Sequence, residues 1–197
     1  MAVTIGYSYP YSALYDGSTG TDKYTEGMDL GGGVSYSDSI EVADDNDFYA
    51  NNQIDESETG KFVSGEATIT INALSAEAAK MALGIKNQTT VPEETTWDDY
   101  DDDTVPPELG YGHVKKLRDN GVDKFQAFVL PRVKMAMPGE SANTQEAEID
   151  WQTQELTVTI MRSKNGKHKW RSIAPTLFDR EQDAYEAVKA YLSQGQA

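Results

Sequence analysis

Two strand-like segments that flank a long polar loop, in the run from residue 34 to residue 72, constrain the fold of this chain most strongly. In residues 34–42 and again in residues 66–72, apolar side chains alternate with serine, threonine and glutamate. This period of two is typical of strands with one face in the core and the other in water. Hairpin loops usually contain a few residues, so a loop of about twenty residues is unusual and is normally functional. The run therefore predicts a small β-domain whose long hairpin loop, residues 43–61, reaches outward to a partner.

Length and composition limit the other classes of protein. The 197 residues suit a single domain, 1–197, and the 38% hydrophobic content leaves room for long polar loops. The chain has no apolar run long enough to cross a bilayer, and its N-terminal segment lacks the features of a signal peptide. We therefore expect a protein made and kept in the cytoplasm, or released without a signal. Because cysteine is absent, disulfides, thiolate metal sites and cysteine nucleophiles are excluded.

The net charge of −16 argues against a protein that grips nucleic acid, because affinity for a phosphate backbone comes largely from lysine and arginine. The same charge is compatible with a surface along which DNA passes without being held, since such a surface should be acidic or neutral. The alternative is that the acidic residues simply aid solubility.

Two polar segments lie before and after the run 34–72. Residues 1–32 are rich in glycine, serine, tyrosine and aspartate, and they predict an N-terminal arm with short strand pieces that orders best against a partner. Residues 86–108 predict a long acidic loop, in which seven carboxylates between positions 93 and 103 surround Trp97 and Tyr100. A cluster this dense is expected to repel itself.

Two helices are predicted to pack on the sheet. Residues 75–84 form the first, because Ser75 can cap its N-terminus and Gly84 can end it. The second covers residues 180–193 and carries an apolar stripe at helical spacing. Asp179 and Gln182 stand at its start like a capping box.

Asn-Gly pairs predict two further hairpins. One pair stands at positions 120–121 within the span 111–134, and the other stands at positions 165–166 within the span 155–174. Each dipeptide tolerates the positive φ that a two-residue type I′ turn requires. The sequence therefore predicts several antiparallel strand pairs beyond the opening hairpin.

Catalytic chemistry has little support in the sequence. The chain contains two histidines, His113 and His168, and each falls on or beside a predicted hairpin strand. Neither has nearby serine and acidic residues in an arrangement that suggests a triad, so we interpret both as exposed strand residues. The nucleophile-elbow, P-loop, dinucleotide and zincin motifs are all absent. An enzyme is therefore the weakest class, and we expect no cofactor.

The charged clusters allow several interpretations of their function. The acidic runs 44–56 and 98–103 can bind calcium through carboxylates, although neither has the ligand spacing and central glycine of an EF-hand loop. The alternative, which we favour, is a solvated loop or a docking surface for a basic partner. The basic segment 162–171 is either an edge hairpin protected by charge or a segment that docks on the acidic loop of a neighbouring copy. The expected inter-subunit charge pair joins Asp101, Asp102 and Asp103 to Lys164, Lys167 and Lys169.

Several stretches of the chain together resemble the major tail proteins, or tail tube proteins, of long non-contractile-tailed phages and prophages of Gram-positive bacteria. The stretches are IEVADDNDFYANN, DESETGKFVSGEATITINALSAEAAKMALG, GYGHVKKLRDNGVDKFQAFVLPRVKM, IDWQTQELTVTIMRSKNGKHKW and DREQDAYEAVKAYL. The resemblance spans most of the chain, from about Val34 to Leu192. It is carried by the order of these stretches together with the long acidic hairpin loop.

The resemblance implies a mainly β fold, an antiparallel β-sandwich or barrel with a long protruding hairpin loop and one or two flanking α-helices. It implies hexameric rings that stack into the tail tube of a virion, made in the host cytoplasm, through which DNA is ejected into the host. Expected partners are further copies of the chain and the tape-measure, tail terminator and distal tail proteins, with no specific DNA binding and no membrane. The alternatives are a secretion-tube or tail-completion protein or, with less support, an acidic ligand-binding β-domain.

The resemblance assigns the loop 43–61 to contacts with adjacent subunits and with the next ring. The predicted contact residues are Asp47, Phe48, Tyr49, Ile54 and Glu56. The alternation of the strands places their polar side chains on one face, and the resemblance makes that face the wall of the bore. The predicted bore residues are Ser35, Ser37, Ser39, Glu41, Glu66, Thr68, Thr70, Asn72, Glu155, Thr157 and Thr159.

Overall fold

The computed structural model describes residues 3–50, 53–91, 95–140, 144 and 152–195 of the chain. Its strands are β1 (Val3–Asp16), β2 (Lys23–Asp29), β3 (Gly33–Val42), β4 (Asn46–Ala50), β5 (Gln53–Glu58), β6 (Phe62–Ile71), β7 (Asn87–Val91), β8 (Thr95–Asp99), β9 (Glu108–Asp119), β10 (Val122–Met135), β11 (Gln154–Met161) and β12 (Ser172–Ile173). Its helices are α1 (Ala76–Leu83) and α2 (Glu181–Tyr191).

Eight of these strands form one sheet in the order β2, β1, β9, β10, β11, β6, β3, with β12 paired to β10 beside that path. Every strand pair in the sheet is antiparallel. The sheet folds back on itself, because Tyr7 of β1 stacks on Tyr36 of β3 with ring centroids 6.1 Å apart. The predicted mainly β fold, an antiparallel sandwich or barrel, is therefore confirmed.

A hydrophobic core fills the space between the two halves of the folded sheet, and α1 closes over it. Its buried side chains include Ile69, Leu83, Leu109, Leu130 and Leu156. At the start of α1 the Ser75 hydroxyl accepts a hydrogen bond from the Ala78 amide at 3.2 Å, and at its end Gly84 takes a φ of 73°. The predicted first helix and both of its end signals are therefore confirmed.

A second core lies on the other face of β1, β9 and β10, where α2 packs. Two glycines of β9 make room for this helix. A Cβ on Gly112 would lie 2.6 Å from Val188 Cγ1, and a Cβ on Gly110 would lie 2.6 Å from Leu192 Cδ2. Because both faces of β9 are covered, residues 109–114 are buried without a break.

The predicted capping box of α2 is wrong. The N-cap residue is Arg180, and no side chain caps the helix. Asp179 instead forms an ion pair with Lys124 of β10, so its carboxylate is directed to the sheet rather than to the helix amides. The apolar stripe of the helix is present, and Ala184, Tyr185 and Val188 are buried.

One of the two predicted Asn-Gly hairpins is present. Asn120 and Gly121 join β9 to β10 with φ values of 50° and 82°, as a type I′ turn requires. The second hairpin is wrong, because β12 pairs with β10 rather than with β11. The Asn165 side chain competes with such a turn, since it donates to Asp22 and accepts from the Lys167 amide at 3.0 Å.

The prediction that residues 1–32 form an extended arm with short strand pieces is also wrong for the described part of that segment. β1 lies within the sheet and pairs with β2 on one side and β9 on the other. The alternation of apolar and polar residues in β1 is irregular, because the pairing register with β9 shifts between Ser8 and Tyr11 and Tyr9 takes a φ of 52°. This bulge contains Pro10, whose nitrogen cannot donate to a ladder, so a strand forms despite the proline.

Candidate assembly surfaces

The predicted bore residues lie together on one face of the sheet. Strands β3, β6 and β11 are adjacent, and their register aligns polar side chains in rows. The rows are Ser35, Thr70 and Glu155; Ser37, Thr68 and Thr157; and Ser39, Glu66 and Thr159. These nine residues, with Glu41 and Asn72, are exposed or half-exposed. We call these eleven residues the polar face; their assignment to a bore stays a prediction.

Strand pairing continues the polar face beyond the residues that the sequence indicated. Lys134 of β10 lies beside Thr159, and Glu108 of β9 lies beside Lys134, so one row crosses five strands. Ser64 of β6 extends another row, because its hydroxyl donates to the Glu41 carboxylate at 2.6 Å. The surface is therefore a polar strip that crosses five strands rather than the face of a single hairpin.

Glu108 marks the boundary between this polar strip and the basic segment. Its carboxylate pairs with Arg132 and lies 2.9 Å from Lys164 Nζ. The hydrogen bond from Arg132 is the main cause that lowers the pKa of Glu108; partial burial opposes it and Lys164 adds to it. Lys164, which was predicted to meet a neighbouring copy, is therefore already paired within its own chain.

The described sheet ends at β3 and β2, and of these two strands β3 has the more open edge. Within the described residues, β3 pairs with β6 and with no other strand. Val34 and Val42, near its two ends, are 53% and 58% exposed. At the other end of the sheet β2 pairs with β1, and its Tyr24 amide donates to the Gln194 carbonyl at 3.2 Å. An exposed strand edge is a template for pairing with another chain.

The long loop 43–61 contains a hairpin of its own, since β4 and β5 form a two-stranded sheet separate from the main one. The neck of this hairpin is tight. The Ala43 amide donates to the Lys61 carbonyl at 2.9 Å, and a Cβ on Gly60 would lie 1.5 Å from the Ala43 carbonyl oxygen. Among the predicted contact residues Asp47 is half-exposed, whereas the side chains of the others lie outside the described structure: Phe48, Tyr49, Ile54 and Glu56.

The predicted long acidic loop also contains a hairpin, formed by β7 and β8. Its carboxylates are matched by neighbouring polar side chains. Asp98 accepts from Gln88 at 2.6 Å and lies 3.0 Å from Lys80 Nζ, and Asp101 accepts from Asn87 at 2.6 Å. These bonds, led by Gln88 and Asn87, lower the pKa values of Asp98 and Asp101. The expected self-repulsion is therefore offset locally, and the predicted long acidic loop over residues 86–108 carries a two-stranded hairpin, 87–99, within it.

The hairpin of β7 and β8, with the residues that follow it, exposes apolar as well as acidic surface. Trp97 and Tyr100 are 58% and 59% exposed. Tyr100, Asp101 and Asp102 line a groove of about 720 Å³ that is floored in part by Leu83 of α1 and by Met137. We call it the acidic groove.

The basic loop, residues 162–171, is fixed to the start of β2. Its Ser163 hydroxyl donates to Asp22 at 2.7 Å. Lys167 and Lys169 are exposed and form no ion pair with another described residue. Among the lysines of the loop these two therefore remain available to another molecule, whereas Arg162 donates to the Phe62 carbonyl and Arg171 pairs with Asp38.

The two histidines occupy opposite environments. His168 is exposed, as predicted. His113 is fully buried, so its interpretation as an exposed strand residue is wrong; both faces of β9 are covered, not one. Across the described ranges, no three histidine, aspartate or glutamate side chains come together as a group that could hold a metal ion.

Comparison with known proteins assigns no family. No protein-family model matches the chain, and no curated protein matches it significantly. Among the residues that the structure describes, no helix is long and apolar enough to cross a membrane. The surfaces themselves, together with the sequence resemblance, are therefore the basis for a functional proposal.

Proposed function

We propose that this chain is a phage tail tube subunit: six copies close into a ring, and stacked rings form the conduit through which DNA is ejected into the host. The observation that carries this proposal is the polar face, which ends at the open edge of β3. One of its rows continues across five strands, from Ser39 of β3 to Glu108 of β9. An isolated chain leaves such an edge open to aggregation. A ring of copies can instead turn the face inward and pair the edges. The number of copies in the ring and the role in a phage tail are taken from the sequence resemblance.

The charge of the polar face suits the passage of DNA. Glu41, Glu66 and Glu155 are exposed on it, and Lys134 is the basic residue of its extended row. A bore lined by carboxylates repels a phosphate backbone and offers few cations that could displace its counterions. DNA would therefore move along this surface without being held.

The hairpin of β4 and β5 suits contacts between rings. It forms a sheet of its own on the neck at Gly60, so it is separated from the main sheet. Its sequence includes Phe48, Tyr49 and Ile54, apolar residues that gain most from burial against another subunit. At the ends of the tube, the resemblance adds the tape-measure, tail terminator and distal tail proteins as partners.

We assign the lateral registration of copies to the acidic groove and the basic loop. Because Lys164 is paired with Glu108, the lysines of the basic loop left for a neighbour are Lys167 and Lys169. Asp102 lines the groove, Asp103 follows it in sequence, and both are exposed. Exposed ion pairs stabilise little and are screened by salt, so this contact guides registration while apolar burial holds the ring together.

Charge reversal tests this contact. Asp102→Lys with Asp103→Lys should slow assembly at low salt, and adding Lys167→Glu and Lys169→Glu to the same chain should restore the rate. Light scattering at 50 mM and 500 mM salt follows both steps. If the chain with all four substitutions still assembles slowly, the charge contact is removed from the proposal. The same holds if the chain with Asp102→Lys and Asp103→Lys assembles only when calcium is added.

Negative-stain microscopy of the purified protein tests the proposed function itself. Long tubes of constant bore support a tail tube subunit. Single rings that never extend favour a tail-completion protein. A monodisperse monomer under all assembly conditions contradicts the proposal and favours a ligand-binding β-domain.

A further inference from the structure

His113 of β9 is buried in an aromatic cluster without a hydrogen-bond partner. Its exposed fraction is 0%, and neither ring nitrogen has a partner within the described residues. Measured between ring centroids, Tyr36 lies at 4.4 Å, Phe128 at 4.5 Å, Tyr7 at 5.0 Å and Tyr111 at 5.6 Å. This site holds a titratable group in surroundings that favour its neutral form.

The charged groups around this cluster are mostly cations. Lys115 Nζ lies 4.1 Å from the centroid of the Phe128 ring, and the Arg171 guanidinium carbon lies 5.5 Å from the same centroid. Asp38 pairs with Arg171. Tyr7 of β1, Tyr36 of β3 and Tyr111 of β9 contact His113 directly, and the charged groups that border these rings are Asp38 of β3, Lys115 of β9 and Arg171 before β12. A proton on His113 would therefore add a third positive charge beside one carboxylate.

We propose that His113 is an acid-sensitive latch, in which protonation of the imidazole releases edge strand β3 from the layer formed by β1 and β9. A charged imidazole must gain water or an acceptor, so an element that covers it must move. β1, β9 and β10 are paired on both sides within the sheet, whereas β3 is paired with β6 alone among the described strands. Tyr36 of β3 is also the ring nearest to His113. Displacement of β3 is thus the least disruptive way to hydrate the imidazole.

The direction of the pH dependence follows from the burial of this ring. Burial, with a smaller effect of Lys115, lowers the pKa of His113 well below 6.5. In the opened form the ring is hydrated and titrates near its ordinary value. The opened form therefore takes up a proton that the closed form does not, and its population rises by up to about tenfold per pH unit below about 6.5.

Release of β3 would also reach the protruding hairpin. β3 ends at Val42 and β4 begins at Asn46, so few residues separate the strand from the hairpin. Acid would thus loosen the support of the hairpin as well as the edge of the sheet. This inference does not depend on the proposed tube.

Amide hydrogen exchange of the full chain at pH 7.5, 6.5 and 5.5, corrected for the intrinsic pH dependence of exchange, tests the latch strand by strand. Opening of β3 should rise by up to about tenfold per pH unit below pH 6.5, while β9 and β10 keep their protection. His168→Asn, which removes the exposed histidine, should behave as the wild type. His113→Phe should lose the acid-dependent opening of β3. Undiminished acid sensitivity in His113→Phe, or equal loss of protection in β3 and β10, would overturn the proposal.

A second measurement holds whether or not His113→Phe folds. In the His168→Asn variant the single remaining imidazole is that of His113, so its NMR titration can be read without overlap. The ring should become protonated over the same pH range in which β3 opens. A ring that titrates near pH 6.5 while β3 stays closed would overturn the latch.

Discussion

Glu66 and Glu155 offer a sharp test of the proposed bore. Both are exposed on the polar face, and Glu41 is less suitable because it accepts a hydrogen bond from Ser64. Replacing both glutamates by lysine changes the charge of each subunit by about +4, since each substitution contributes about +2. In the proposed hexamer each ring would gain about twelve lysines, two from each copy, on the surface that faces the DNA.

The size of the effect follows from counterion release. Each lysine that neutralises a phosphate adds about 0.9 to the slope of log affinity against log salt. If about four of the twelve lysines in a ring contact DNA, the slope changes by about 3.6, and raising salt from about 50 to 200 mM weakens retention by about 150-fold. The variant should therefore hold DNA at low salt and release it at moderate salt, whereas the wild type should not hold it.

Nuclease protection distinguishes DNA inside a tube from DNA on its surface. Tubes assembled with short duplexes are digested, washed at rising salt and assayed for intact DNA. The control variant carries Glu77→Lys and Glu186→Lys, the same charge change at exposed positions on α1 and α2. Nuclease-resistant DNA in the polar-face variant and nuclease-sensitive DNA in the control are expected. Equal sensitivity in the two variants would refute the placement of the polar face in a bore.

Three further predictions concern the hairpin, a helix cap and a close contact. Replacing residues 46–58 by a short linker should leave the β-type circular dichroism spectrum intact and abolish long tubes in negative stain; tubes of normal length would show that the hairpin does not stack rings. Ser75→Ala should lower the free energy of unfolding by about 1 kcal/mol in urea titrations, because a helix amide loses its acceptor, and an unchanged midpoint would contradict the capping role. Gly112→Ala places a Cβ 2.6 Å from Val188 Cγ1 and should cost about 1–3 kcal/mol in the same titration, whereas Gly139→Ala, which meets nothing within 4 Å, should be near neutral; equal effects would argue against the packing of α2 on β9.

Local sequence signals predicted local structure where no distant residue competes; the Asp179–Gln182 cap and the Asn165-Gly166 turn failed because Lys124 and Asp22 bind their side chains. Ser75 and Gly84 limit α1, and Asn120 and Gly121 form the turn between β9 and β10. These features depend on residues close in sequence, so they can be inferred without the rest of the fold. The polar face could be predicted for the same reason, because alternation with a period of two is a property of each strand alone.

The features that sequence reasoning missed depend on contacts between distant segments. β1 has an irregular polar pattern that includes Pro10, yet it pairs with two strands. Nothing near His113 in sequence indicates that α2 and β3 cover opposite faces of β9. At shorter range, the aspartates of the acidic segment find partners such as Gln88 only once β7 and β8 pair, and the sequence pattern did not indicate that pairing. The surfaces proposed to join separate copies depend on contacts between chains, which the fold of one chain does not contain.

Single-cysteine labelling of tubes tests the central claim most directly, because the natural chain contains no cysteine. Ser37 is exposed on the polar face. Glu186 is exposed on α2, which packs on β9 and β10 rather than on β3, β6 and β11. Each is replaced by cysteine in a separate variant. Thiol-reactive gold particles too large to enter the bore should decorate tubes of the Glu186→Cys variant along their length. Tubes of the Ser37→Cys variant should stay bare until they are dissociated. Equal decoration of both, or a wild-type protein that forms neither rings nor tubes, would contradict the account.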